Sequence, residues 1–361
     1  MGPMRFGLFF ALLLSACASD PVCPPPTPQL TSAVSGAEHE PPVPTPTAHE
    51  GLNARLSGFD YPFEVQAIEL SMQGQPVEMV YMDVRPAGEV KGTVLLLHGK
   101  NFSGAYWERT IRVLVEAGYR AIAPDQIGFG KSSKPTDVTY SFHEMTRHTL
   151  ALLDHLRVEK ALVIGHSMGG MLATRFALTA PARTTGLVLM NPIGLEDWQR
   201  VVPYASIEET ARAEAGREPG AVKAYMLESY FAGQWDEAYD PLLAIQVGWL
   251  RGPDRERMAL VSALTYEMIF TQPVLHEFPD LAMPTLLIIG QRDRTAVGKG
   301  RVSAEVRATL GDYPALGRAA AAAIPDAELV ELDDVGHVPQ FEAFDRTMPP
   351  LLEFIGARYA D

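Results

Sequence analysis

Five residues, Gly165-His166-Ser167-Met168-Gly169, stand between a continuous apolar run, Ala161-Leu162-Val163-Ile164, and a longer apolar stretch from Met171 to Leu178. The first run reads as a strand covered on both faces, and the second has the length of a helix. A sharp strand-to-helix turn has to join them, with serine at its tip. Such a turn leaves no room for side chains two residues before or after the serine, and Gly165 and Gly169 meet that need. Gly170 gives further clearance. The following helix aims backbone N–H groups and its positive dipole end at the serine oxygen. This is the strand–turn–helix setting that a G-x-S-x-G nucleophile requires, so Ser167 is the candidate nucleophile.

The same alternation runs through the chain from about residue 59. Strands are expected over 63–70, 77–84, 93–97, 119–123, 161–164, 187–190, 285–289 and 329–332, with helical stretches such as 106–117 and 145–156 between them. Repeated strand–helix–strand units predict an α/β fold. It has a mostly parallel central sheet and helices on both faces. In such a sheet the site lies beyond the carboxyl ends of the strands.

A serine hydroxyl needs a base. Among nine histidines, His337 follows the last expected strand and precedes a helical stretch, which makes it the candidate. His98 reads as part of the loop after 93–97, and His166 as a structural residue of the elbow. The base needs an orienting acid. Asp293 closes the run Leu286 to Asp293 at a strand's carboxyl end, with Glu196 and Asp197 as rival acids. The oxyanion needs two backbone donors. Met168 supplies one. Lys100 supplies the other through its amide, with Asn101 the alternative. No metal-binding spacing such as HExxH is present, and no cofactor is expected.

These motifs, in the order Ser167, Asp293, His337, resemble the α/β-hydrolase superfamily, in the branch with a GHSMGG elbow. Asp125 to Ser132 is similar to that branch's D-x-x-G-x-G-x-S loop, which shapes the site without carrying the reaction. The resemblance covers about residues 59–360. It implies a core of 58–193 and 280–361 and a helical cap of 194–279. Haloalkane dehalogenases and epoxide hydrolases share much of the pattern but use Asp where this chain has Ser167. The meta-cleavage C–C hydrolases share the SMGG elbow, but their oxyanion loop is richer in Gly and Pro than Lys100-Asn101-Phe102-Ser103. The cap segment holds Trp198, Tyr204, Tyr225, Tyr230, Phe231, Trp235, Tyr239 and Trp249. These aromatics point to an apolar substrate part, or else they build the cap's own small core.

The N-terminus adds a location. Arg5 and the apolar stretch Phe6 to Leu14 read as a signal peptide, 1–16, too short to span a bilayer. Leu14-Ser15-Ala16-Cys17 resembles a bacterial lipobox, with Cys17 as the lipidated residue. Ala18, in place of aspartate, favours an outer-membrane anchor facing the periplasm. Cys17 and Cys23 are the only cysteines, so no disulfide framework supports the fold, and Cys23 has no obvious partner. Residues 17–57 are proline-rich and read as a spacer reaching on the order of 100 Å if fully extended. The formal net charge of −14 argues against nucleic acid as a partner.

The expected activity is acyl-enzyme hydrolysis of a small-molecule carboxylic ester with an apolar acyl or alcohol part. The alternatives are amide, lactone or C–C bond hydrolysis, cofactor-free haloperoxidase chemistry on the same residues, or a non-catalytic binding lipoprotein.

Overall fold

The structure, a computed structural model, describes residues 51–359. The signal segment, Cys17, Cys23 and the proline-rich residues up to 50 lie outside the described residues.

Eight strands form one sheet: β1 (Gln66–Met72), β2 (Gln75–Val84), β3 (Gly92–Leu97), β4 (Tyr119–Pro124), β5 (Ala161–His166), β6 (Thr184–Met190), β7 (Thr285–Gly290) and β8 (Ala327–Leu332). Their spatial order is β1-β2-β4-β3-β5-β6-β7-β8. β1 pairs antiparallel with β2, and β2 with β4; every other pair is parallel. The crossovers carry α1 (Glu108–Glu116), α2 (Phe142–His155) and α3 (Met168–Thr179). The cap follows with α4 (Ile207–Ala215), α5 (Pro219–Ser229), α6 (Ala244–Arg251) and α7 (Arg255–Thr271). Then come α8 (Ala304–Thr309), α9 (Tyr313–Ala323), α10 (Pro339–Glu342) and α11 (Phe344–Tyr359).

The continuous apolar runs have a plain cause. Alternate residues of one strand enter opposite cores. Leu95, Val163 and Leu287 pack with Leu152 of α2 and Phe176 of α3. Their neighbours Leu96, Leu162 and Leu286 pack with Ile111 of α1 and Phe354 of α11. Each such side chain contributes about 1.5–3 kcal/mol when fully buried.

Two expectations are corrected. The first strand begins at Gln66, not at residue 63. Its register is set by a two-residue hairpin at Gln73 (φ 51°) and Gly74 (φ 83°), which pairs Met72 with Gln75. The spacer also stops short of residue 57. Leu52, Leu56 and Phe59 are buried against Ala244 and Ile245 of α6, and the Leu52 amide donates to the Gly248 carbonyl at 2.8 Å. That apolar contact ties residues 51–57 to the cap.

The 125–132 loop is held by its own hydrogen bonds. Asp125 accepts from the Gly104 amide (2.6 Å), the Tyr61 hydroxyl (2.6 Å) and the Lys131 amide (2.7 Å). Buried Lys134 donates to the carbonyls of Phe129, Gly130 and Ser132, and burial pushes its amine down to about 7. The loop therefore presents Gly128 and Phe129 as a fixed wall.

Candidate active site

Ser167 sits between β5 and α3 with φ 57° and ψ −122°. A non-glycine residue there stores about 1–3 kcal/mol of strain, which its surroundings must offset. They do so through the backbone. The Ser167 amide donates to the Met190 carbonyl (3.3 Å), and its own carbonyl accepts from Gly170 (2.9 Å) and Ile193 (3.2 Å). The glycines are required. A Cβ on Gly165 would overlap the Gly169 carbonyl and come within 2.7 Å of the Ala173 methyl; one on Gly169 would overlap the Leu97 carbonyl.

His337 and Asp293 are both fully buried, and His337 Nδ1 donates to Asp293 Oδ2 at 2.6 Å. The other ring nitrogen, Nε2, is buried and has no partner among the described residues. The His337 ring lies 4.9 Å from that of His166, the residue before Ser167. The structure thus pairs His337 with Asp293 and sets the His337 ring against His166, next in the chain to Ser167, with no hydrogen bond between Ser167 and Nε2. It does not bring the rival acids there. Glu196 accepts from the Gly311 amide (3.2 Å), and burial raises its carboxyl to about 7; Asp197 pairs with Arg200 at 2.8 Å.

Three further residues, Asn191, Tyr106 and Glu342, support the site without belonging to any of its sequence motifs. Asn191 follows β6 at φ 35°, donates to Asp293 Oδ2 (2.9 Å) and accepts from the Gly290 amide (2.9 Å). It holds the carboxylate in plane while the Thr295 amide takes Oδ1 (2.8 Å). An Asn directly after the apolar run Leu187 to Met190, a residue type that tolerates positive φ, was the available signal. Tyr106 takes the Gly99 amide on its hydroxyl oxygen (3.3 Å) and hydrogen-bonds His166 Nδ1 (2.9 Å), while His166 Nε2 bonds the His337 carbonyl (2.8 Å). A carbonyl only accepts, so Nε2 carries the proton and Nδ1 takes the tyrosine's. Burial, then the neighbouring His337, pushes His166 well below the usual imidazole range, which keeps it neutral. The chain Gly99–Tyr106–His166–His337 therefore ties the oxyanion loop, the elbow and the base loop together. Glu342 does the same for the acid and base loops. It accepts from the Gly336 amide (2.7 Å) and from Arg292 (2.7 Å), each next to a member of the triad, and burial raises its carboxyl to about 7.

His98 lies in the loop after β3, as expected. Its Nε2 accepts from the Gln126 amide (3.1 Å), so Nδ1 donates to the Gly99 carbonyl (2.9 Å) and shapes the oxyanion loop. Burial pushes it down, in keeping with a neutral ring. Gly99 passes so close to the elbow that an added Cβ would lie 3.0 Å from Ser167 Cβ. No backbone hydrogen bond among the described residues takes the amides of Met168, Lys100 or Asn101.

A cavity of about 390 Å³ opens at Ser167 between core and cap. Tyr225, Tyr230 and Tyr266 line it from the cap. Tyr230 also lies over the base, with its ring 4.3 Å from that of His337 and its carbonyl accepting the His337 amide. The other cap aromatics are used elsewhere. Phe231, Trp235 and Tyr239 pack on one another in the cap's own core, and Trp198 donates its indole N–H to the Phe270 carbonyl. Trp249 lines a smaller, mostly apolar chamber with Phe129, Val222 and Met258. Both spaces share Lys100, Asn101, Glu214 and Arg217.

A family model described as alpha/beta hydrolase fold matches residues 92–344. A probable hydrolytic enzyme from Pseudomonas aeruginosa PAO1, known by its crystal structure, is 49% identical, with a TM-score of 0.83 over 85% of this chain and 99% of that one. A 2-hydroxy-6-oxo-2,4-heptadienoate hydrolase of Pseudomonas putida is 32% identical over 143 residues, covering 38% of this chain and 48% of that protein. A haloalkane dehalogenase of Mesorhizobium japonicum is 36% identical over 143 residues, covering 39% and 45% respectively. The chain thus spans less than half the length of these curated relatives. Together with the eight-stranded sheet, the family match over most of the chain identifies it as a member of the α/β hydrolase fold family.

Proposed function

We propose that this α/β hydrolase is a serine hydrolase that cleaves carboxylic esters by two-step acyl transfer. The reading rests on one observation above all: His337 is held by Asp293 at 2.6 Å with its Nε2 unpartnered and its ring 4.9 Å from that of His166, the residue before the strained Ser167. Ser167 Oγ attacks the ester carbonyl carbon and gives its proton to His337 Nε2. Asp293 stabilises the resulting imidazolium. The Met168 and Lys100 amides donate to the oxyanion, each worth about 3 kcal/mol in the transition state. Collapse expels the alcohol, which takes the proton from His337. Water then adds to the acyl-enzyme by the same steps and releases the acid. The apolar chamber beside the Ser167 cavity suits an apolar acyl or alcohol part.

A panel of chromogenic substrates tests this reading against other bonds. p-Nitrophenyl acetate is expected to turn over with kcat/KM at least roughly 100-fold above the matched p-nitroanilide. Faster cleavage of the anilide, of a lactone or of a C–C dienoate would replace the ester assignment. Halide-dependent oxidation without ester turnover would point to haloperoxidase chemistry.

We further propose that the enzyme is exported and anchored by a lipid on Cys17, facing the periplasm from the outer membrane. Support comes from the Arg5 to Ala16 signal pattern and the proline-rich residues after it. Cys17→Ser is expected to move the enzyme from the membrane fraction to the soluble one, and unchanged membrane retention would rule out this anchor.

A further inference from the structure

The cavity at Ser167 carries four cationic side chains, Lys100, Arg217, Lys299 and Arg307, against two carboxylates, Glu214 and Glu228. The whole chain has the opposite balance, with 30 Lys and Arg against 44 Asp and Glu. The lining therefore does not follow from composition. Nor do the two carboxylates neutralise it. Glu214 accepts from the Ser262 hydroxyl (3.2 Å), which itself accepts from Lys100 Nζ (2.7 Å). Glu228 is 68% exposed and lies 3.8 Å from Lys299, a pair that solvent screens.

Arg217 stands out among the four. Its side chain is only 21% exposed, yet the guanidinium donates no hydrogen bond to any described residue. Glu214 approaches it no closer than 3.9 Å, beyond hydrogen-bond reach. The Tyr225 ring lies 5.7 Å away. A guanidinium offers five N–H donors in a planar fork that fits an oxyanion with two parallel bonds. The Arg217 nitrogens keep contact with water, so the fork stands open to an anion, which gains charge-assisted hydrogen bonds from it. Arg217 also borders both the Ser167 cavity and the apolar chamber, so a group held there lies between the reacting carbonyl and the apolar pocket.

We infer that the ester cleaved at Ser167 carries an anionic oxyacid group, carboxylate or phosphate, that pairs with Arg217, an inference that rests on the ester-hydrolase reading above. The surrounding cations raise the local concentration of such a substrate, and the effect weakens with salt.

The test compares the p-nitrophenyl monoester of glutarate with its methyl ester, which has nearly the same shape and no charge, on the full chain. The wild type is expected to favour the anion at least tenfold in kcat/KM, with the ratio falling as salt rises. Arg217→Gln is expected to bring the ratio to within about threefold of one, and Arg217→Lys to keep part of it, because a point charge replaces the fork. The ratio is taken within one protein, so partial misfolding of a variant cancels. A wild-type ratio at or below one, or a ratio unchanged in Arg217→Gln, would overturn the inference while leaving the ester reading intact. Failure to cleave these esters and p-nitrophenyl acetate alike would overturn the ester reading and the inference with it. A phosphonate analogue of the glutarate ester separates the two anions: whichever is favoured names the oxyacid, and preference for neither over the methyl ester refutes both.

Discussion

Asp293→Asn lowers kcat for ester hydrolysis by about 10⁴-fold, equivalent to about 5.5 kcal/mol, and leaves KM within about threefold. The size follows from the donors around the carboxylate. Oδ2 accepts from both His337 Nδ1 and Asn191 Nδ2, and Oδ1 accepts from the Thr295 amide. An asparagine has one carbonyl and one amide nitrogen to place in these two positions. If its carbonyl keeps Thr295, its NH2 faces the NH2 of Asn191 and forces His337 Nδ1 to accept. The proton then sits on Nε2, where it blocks removal of the Ser167 proton. If the amide flips, its carbonyl keeps His337 Nδ1 and Asn191, but its NH2 meets the Thr295 N–H. The first arrangement costs the imidazole the tautomer the reaction needs, and both remove the charge that stabilises the imidazolium. The cavity lining is untouched, so ground-state binding survives. Steady-state kinetics on p-nitrophenyl acetate decide the matter. A loss below about 100-fold would show that another carboxylate, such as Glu196, orients the base.

Much of this arrangement was legible in the sequence because its causes are local. β3, β5, β6 and β7 lie in the sheet interior, so their apolar runs have no polar alternation to blur them. Gly165 is dictated by the Gly169 carbonyl inside the elbow itself, and Gly169 by the Leu97 carbonyl at the end of the neighbouring β3. Asp293 and His337 each end a strand–loop unit of recognisable pattern. Other parts depend on meetings between distant segments. Asn191 takes the Gly290 amide 99 residues away and Tyr106 bonds the His166 ring 60 residues away, and nothing in their own neighbourhoods announces this. Leu52, Leu56 and Phe59 fall at i, i+4 and i+7 yet form no helix, and the docking of α6 gives them a core. The cap aromatics were ambiguous for the same reason. Whether Phe231 faces a substrate or Tyr239 is decided by the fold of α5 and α6. The charge of the cavity was hidden most deeply, since Lys100, Arg217 and Arg307 come from the oxyanion loop, the cap and α8.

The largest expected effect belongs to Ser167. Ser167→Ala removes the only atom that forms the acyl-enzyme and is expected to lower kcat by a factor on the order of 10⁶, leaving the residual rate that the oxyanion donors and binding provide. Alanine keeps the elbow's Cβ and asks for the same φ of 57°, so the fold is retained and the loss reads chemistry. The most direct measurement uses a fluorophosphonate, whose phosphorus accepts the attack of an activated serine and keeps the adduct. Intact-mass spectrometry with peptide mapping is expected to find one equivalent of label on Ser167 in the wild type and none in Ser167→Ala. Equal labelling of both proteins, or label on a different serine, would contradict the claim that Ser167, His337 and Asp293 form the catalytic centre.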